Sequence, residues 1–248
     1  MVLSLERFVG KVAVVTGASA GIGKAIVEEL VKNGIIVAGL ARRTDRLHEL
    51  SQALSKEKGK LHGFKCDMTK EAEIKSTIQE VIKKLGNIHI LVNNAGLMQS
   101  TDLINGDTEK WKTTIDTNIL GLLIATREVV QNMKANNIEG HIVHINSILG
   151  HTVADFPNVN VYGATKYAVT ALAETLRLDL RREKLKIKVT SISPGYVKTE
   201  FQKVAGLGDI DLPIPAIYGP DVAEAVIYAL STAPHINVTE LTVQAVGS

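Results

Sequence analysis

Cysteine is nearly missing from this sequence: Cys66 is the only one in 248 residues. A single thiol closes no internal disulfide and supplies neither a zinc-binding cluster nor a cysteine redox pair. Excess charge of one sign is missing too. Lysines and arginines number 28 against 26 aspartates and glutamates, a formal +2, and the two signs alternate along the chain. No basic face for a polyanion results, so a nucleic-acid partner is not expected. Long apolar runs are also absent; the stretch Ile119 to Ala125 is far too short to cross a bilayer. The opening residues, MVLSLERFVGK, place charges where a signal peptide needs its apolar stretch. No repeat, low-complexity tract or linker interrupts the chain. With 45% hydrophobic residues, the expectation is a single large domain spanning residues 1–248, cytoplasmic, with a substantial core.

What the sequence does contain is alternation. Short β-branched runs (VAVVT at 12–16, IIVAGL at 35–40, LHGFKC at 61–66, IHILV at 88–92, HIVHI at 141–145, IKVTSI at 187–192, LTVQA at 241–245) are separated by segments with apolar residues three and four apart, such as EAEIKSTIQEVIKKL. Continuously apolar strands alternating with helices predict a parallel sheet covered on both faces, hence one doubly wound α/β domain with seven strands. The irregular stretch 201–220, rich in glycine and proline, reads as a loop or short helix covering a site.

The first predicted strand runs into TGASAGIGKAIVEELVKNG, with Gly17, Gly21 and Gly23 between strand and helix. Glycines there permit a tight turn and let backbone N–H groups approach a phosphate, which the helix N-terminus also favours. A tight strand–helix connection alone would use the same residues. At the end of the second strand an acidic residue would bind a free ribose 2′-hydroxyl, but the sequence is GLARRTDR. Arg42 and Arg43 offer planar forks suited to a 2′-phosphate, which favours NADP(H) over NAD(H), unless both are simply solvated at a strand end.

TGASAGIG (16–23), CDMT (66–69), NNAG (93–96), Asn118 in DTNILG, Ser147 in INSILG, YGATK (162–166) and SPGYVKT (193–199) occur in one order along the chain. On these motifs the sequence resembles the short-chain dehydrogenase/reductase family from end to end. The wording between motifs, including ERFVGKVAVVTGAS and GHIVHINSILGH, is similar to the insect farnesol dehydrogenase-like and vertebrate dehydrogenase/reductase member eleven group. The resemblance implies a nucleotide site drawing on Ser19, Ile22, Asp67, Met68, Asn94, Ala95, Gly96, Pro194, Gly195, Val197 and Thr199 besides the glycines and arginines. It also implies that long helices such as TEKWKTTIDTNILGLLIATREVVQNM pair across a two-fold axis into a homodimer or homotetramer.

The chemistry can be argued from the residues as well. Tyrosine, with a reference pKa of about 10, is a poor acid–base group unless something shifts it. Tyr162 and Lys166 lie four apart, on one helix face, so an ammonium there would favour the phenolate. Ser147 follows the predicted fifth strand, at the sheet edge where ligands of open parallel sheets bind, and could bond the same substrate oxygen. Asn118, inside a predicted helix, resembles the family asparagine that supports a water-mediated proton path to the lysine. His141, His144 and His151 cluster at the same strand end without metal-ligand spacing and are read as packing or pocket lining, with no metal expected.

The expected activity is therefore oxidoreduction between an alcohol and a carbonyl, with Leu97, Met98, Ile148, Leu149, Phe156, Val197 and Phe201 lining a pocket for a lipophilic substrate such as an isoprenoid alcohol or a steroid. Two alternatives stand beside it: a broad reductase of small ketones and quinones, and a nucleotide-sensing protein without turnover. The fifteen positions from Ser147 to Tyr162 exceed the usual family interval, so HTVADFPNVN should reshape the pocket rim.

Overall fold

The computed structural model describes residues 3–156, 160–206 and 214–248. Strands β1 (Val12–Thr16), β2 (Ile36–Ala41), β3 (Lys60–Lys65), β4 (Ile88–Asn93), β5 (His141–Ile145), β6 (Lys188–Pro194) and β7 (Glu240–Val243) form one sheet in the order β3-β2-β1-β4-β5-β6-β7. Every pairing is parallel, with registers such as Val14 opposite Ala38 and Val143 opposite Thr190. The predicted Rossmann-type domain with seven parallel strands is what the chain forms, and the strand limits differ from the sequence reading by at most two residues.

The two sheet faces explain why the strands read as unbroken apolar runs. In β1, Ala13 and Val15 point into one core cluster while Val12 and Val14 point into the other. The first cluster packs under α1 (Gly21–Lys32), α2 (Thr44–Ala53) and α8 (Gly219–Ser231), through side chains such as Ile26, Leu30, Leu47 and Val226. The second packs under α3 (Glu71–Leu85), α5 (Leu122–Ala135) and α6 (Asn160–Arg182), through Ile74, Ile78, Val129 and Ala173. Each fully buried aliphatic side chain of this kind contributes roughly 1.5–3 kcal/mol relative to exposure. Chain order reverses between β1 and β4, and the crevice beyond their C-terminal ends is where an open α/β sheet receives ligands.

Two local features depart from the sequence reading. Between α4 (Thr108–Ile115), capped by the Asp107 carboxylate on the Glu109 N–H at 2.8 Å, and α5, the backbone widens into a π-helical turn over Asp116–Gly121. Asn118 therefore sits in a π turn and not in regular helix. The histidines do not cluster at one strand end. His141 starts β5 and contacts Thr190, His144 near its end contacts Asn93, and His151 follows the 3-10 turn Ile148–Gly150 and contacts Ser193. Among the described residues no helix is long and apolar enough to cross a membrane. Of the predicted covering stretch 201–220, Phe201–Val204 forms a short helix, α7, and Ile217 bridges to Val197; residues 207–213 lie outside the described residues, as do 157–159 of the rim insertion.

Candidate active site

The cradle begins at Thr16, the last residue of β1. Its hydroxyl accepts the backbone N–H groups of Asn94 and Ala95 at 3.1 and 3.0 Å, tying the end of β4 to the glycine turn. The Asn94 amide donates back to the Thr16 carbonyl at 2.9 Å. Gly17 adopts φ +67°, and a Cβ there would stand 2.9 Å from the Ala95 Cα and the Asn94 Nδ2. A Cβ on Gly23 would overlap the Gly17 carbonyl oxygen. Both positions demand glycine because neighbouring backbone occupies the space, which leaves the N-terminus of α1 open to a phosphate.

A cavity of about 750 Å³ opens beside this turn, and all the predicted cofactor positions, from Gly17 through Arg42, Asp67, Asn94 and Gly195 to Thr199, line it. At one end, Asp67 accepts the Thr69 N–H and hydroxyl, each at 2.9 Å. Burial pushes its carboxyl up, but those bonds and the nearby Arg42 outweigh it and hold the group below its usual range. Arg43 is not a free fork: its Nη2 lies 2.5 Å from a Glu200 carboxylate oxygen, and Arg46 bonds both oxygens at 3.1 and 2.9 Å. Glu200 and Arg46 were invisible to sequence reading, because no local signal announces a pair separated by more than 150 positions.

At the other end, Ser147, Tyr162 and Lys166 come together on one wall. Ser147 follows β5, its oxygen capping the Leu149 N–H at 3.1 Å, and it is near enough to the Tyr162 hydroxyl to favour its ionised form. The Lys166 ammonium is buried, 5.6 Å from the Tyr162 ring centre, and donates to the Ile145 carbonyl at 2.9 Å. The expected lowering of the phenol by the ammonium is not what this geometry yields. Burial pushes Tyr162 up to about 12, with only the nearby Ser147 acting downward, although part of its surface faces the cavity. Burial likewise pushes Lys166 down to about 8. Desolvation penalises both charged forms together and outweighs attraction at this separation.

Asn118 does not line the cavity. It is buried behind the wall, where its amide exchanges two bonds with the Leu97 backbone, at 2.8 and 2.9 Å, and donates to the Thr165 hydroxyl at 3.0 Å. Thr165 in turn donates to the Tyr162 carbonyl at 2.7 Å, a brace that sequence reading missed. Leu97, Met98, Ile148, Leu149, Phe156, Val197 and Phe201 all line the cavity as expected, and the Phe201 ring stands 5.7 Å from that of Tyr162.

A turn that Gly17 and Gly23 keep open for phosphate, an arginine-rich end and a serine–tyrosine–lysine wall fit a nicotinamide dinucleotide and a hydroxyl or carbonyl substrate. They define a nicotinamide-dependent alcohol dehydrogenase or reductase. The chain belongs to the short-chain dehydrogenase/reductase family, whose model, described as short chain dehydrogenase, matches residues 11–208. The farnesol dehydrogenase of Aedes aegypti is 46% identical, covering 98% of this chain and 99% of that protein. Dehydrogenase/reductase SDR family member 11 of Gallus gallus is 42% identical, covering 96% of each. The closed form of a serine dehydrogenase complexed with NADP+ superposes with a TM-score of 0.84 at 35% identity, covering 94% of both chains.

Proposed function

We propose that this enzyme interconverts a lipophilic alcohol and its carbonyl compound using NADP(H), with Tyr162 as the acid–base group. The observation that carries this reading is the convergence of Ser147, Tyr162 and buried Lys166 on one wall of a mostly apolar cavity that continues to the glycine turn. In the reducing direction the Tyr162 O–H donates its proton to the carbonyl oxygen while Ser147 bonds and orients that oxygen. Lys166 holds a positive charge behind the phenol, and Asn118, through Thr165, fixes the backbone of that helix turn. The nicotinamide, when bound, would supply or accept the hydride. Arg42 and Arg43 hold the 2′-phosphate, Asp67 meets the adenine, and Val197 and Thr199 meet the carboxamide.

The name of the Aedes aegypti relative and the apolar lining support an isoprenoid alcohol as the substrate class. The same reading assigns residues 201–220 to covering the substrate, keeps the enzyme in the cytoplasm, and assembles it as a homodimer or homotetramer. Ile115, Leu120 and Leu123, exposed on neighbouring turns at the α4–α5 junction, support assembly. A panel of farnesol, farnesal, steroid alcohols and ketones and small diketones, followed by NADPH and NADH absorbance, tests it. Highest kcat/KM on the isoprenoid pair with NADPH is expected. A preference for diketones would make the enzyme a broad carbonyl reductase, and tight NADPH binding without turnover would make it a sensor.

A further inference from the structure

Three consecutive residues after β6 reach three different parts of the site. The Thr199 side chain lies against Gly21 of the glycine turn, where a Cβ would stand 3.4 Å away. Glu200 bonds Arg43 and Arg46, and Phe201 packs on Tyr162 with ring centres 5.7 Å apart. The Glu200 carbonyl also accepts the Val204 N–H at 3.0 Å, so the residue that grips the arginines opens the short helix α7. The three charged side chains remain 34–42% exposed. Water screens such pairs, so they exchange partners readily.

We propose that Glu200 is a positioning and specificity-determining residue with two separate roles, one at the 2′-phosphate subsite through Arg43 and one on the substrate side of the cavity through Arg46 and α7. The proposal rests on the reading of Arg42 and Arg43 as the phosphate-binding end. A 2′-phosphate carries more charge than a carboxylate and recruits Arg43 away from Glu200. Arg46, which spans both Glu200 oxygens, keeps the carboxylate, so α7 and Phe201 stay in place while Arg43 changes partner. Glu200 thus opposes NADP(H) at Arg43 and holds the aromatic wall against Tyr162 through Arg46.

The Glu200→Gln variant keeps the shape and removes the charge. Calorimetric titration with NADPH and NADH, and steady-state kinetics on the best substrate of the panel, separate the two roles. NADPH should bind roughly 3- to 10-fold more tightly, and NADH within about twofold of wild type, because only the phosphate competes for Arg43. Substrate KM should rise by roughly 3- to 10-fold with kcat within about twofold, because the tether to Arg46 is lost. Weaker NADPH binding, an unchanged NADPH:NADH preference or an unchanged KM overturns the proposal. If wild type itself shows no preference for NADPH, the phosphate reading fails and the proposal with it. If wild type prefers NADPH and the variant matches it, the proposal alone fails.

Discussion

The Lys166 ammonium donates a 2.9 Å hydrogen bond to the Ile145 carbonyl, so a buried charge at the cavity wall is anchored to the last residue of β5. Burial pushes that lysine down to about 8 from an ordinary value of 10.5. A lysine held low in the folded protein binds its proton less readily there than in the unfolded chain. Stability therefore rises with pH between about 8 and 10.5, the reverse of a lysine that gains a partner on folding. Denaturant melts of wild type and Lys166→Met across this range should diverge in favour of wild type by about 3 kcal/mol toward high pH. A difference independent of pH contradicts the assignment. The variant should also bind NADPH more weakly.

Arg42 is the arginine that faces Asp67 rather than Glu200 at the arginine-lined end of the cavity. Arg42→Asp should weaken NADPH binding by roughly 1.5–3 kcal/mol, the range of a lost charge-assisted phosphate contact, and leave NADH nearly unaffected. Titration of both nucleotides checks this, and a wild type that already prefers NADH contradicts it.

The five inner strands were legible because each is buried on both faces, which makes β-branched residues contiguous instead of alternating, whereas the edge strand β3 buries only alternate residues and β7 stays partly exposed. The glycine turn was legible because Gly17 and Gly23 answer to backbone crowding that side chains elsewhere cannot relieve. The π turn around Asn118 carried no local signal; its side-chain bonds to Leu97 and Thr165 depend on segments 21 and 47 positions away. The Glu200 pair with Arg43 and Arg46 is likewise a product of topology. The direction of the Tyr162 shift was misread because helical spacing reports distance to Lys166 and says nothing of burial, which dominates both groups.

Gly23→Ala tests the cradle. The added methyl would overlap the Gly17 carbonyl and stand 2.5 Å from the Asn94 Nδ2. The turn must shift, so NADPH affinity should fall by about 100-fold or more and stability by roughly 1–3 kcal/mol, as for other overpacked sites. Calorimetry and a thermal melt read both, and near wild-type affinity contradicts the cradle.

Ile115, Leu120 and Leu123 are exposed large apolar side chains at the α4–α5 junction. Light scattering at micromolar concentration should give a dimer or tetramer for wild type and a lower mass for Leu120→Asp. A monomeric wild type contradicts assembly through this face.

The central claim is that the Tyr162 hydroxyl moves the proton. Tyr162→Phe removes that oxygen and leaves the ring that packs on Phe201. Turnover on the best substrate should fall by about two to four orders of magnitude, the usual worth of general acid–base catalysis, with the melting temperature and NADPH affinity unchanged. Near wild-type turnover in this variant would mean that the proton comes from another group and that Tyr162 only packs the cavity wall.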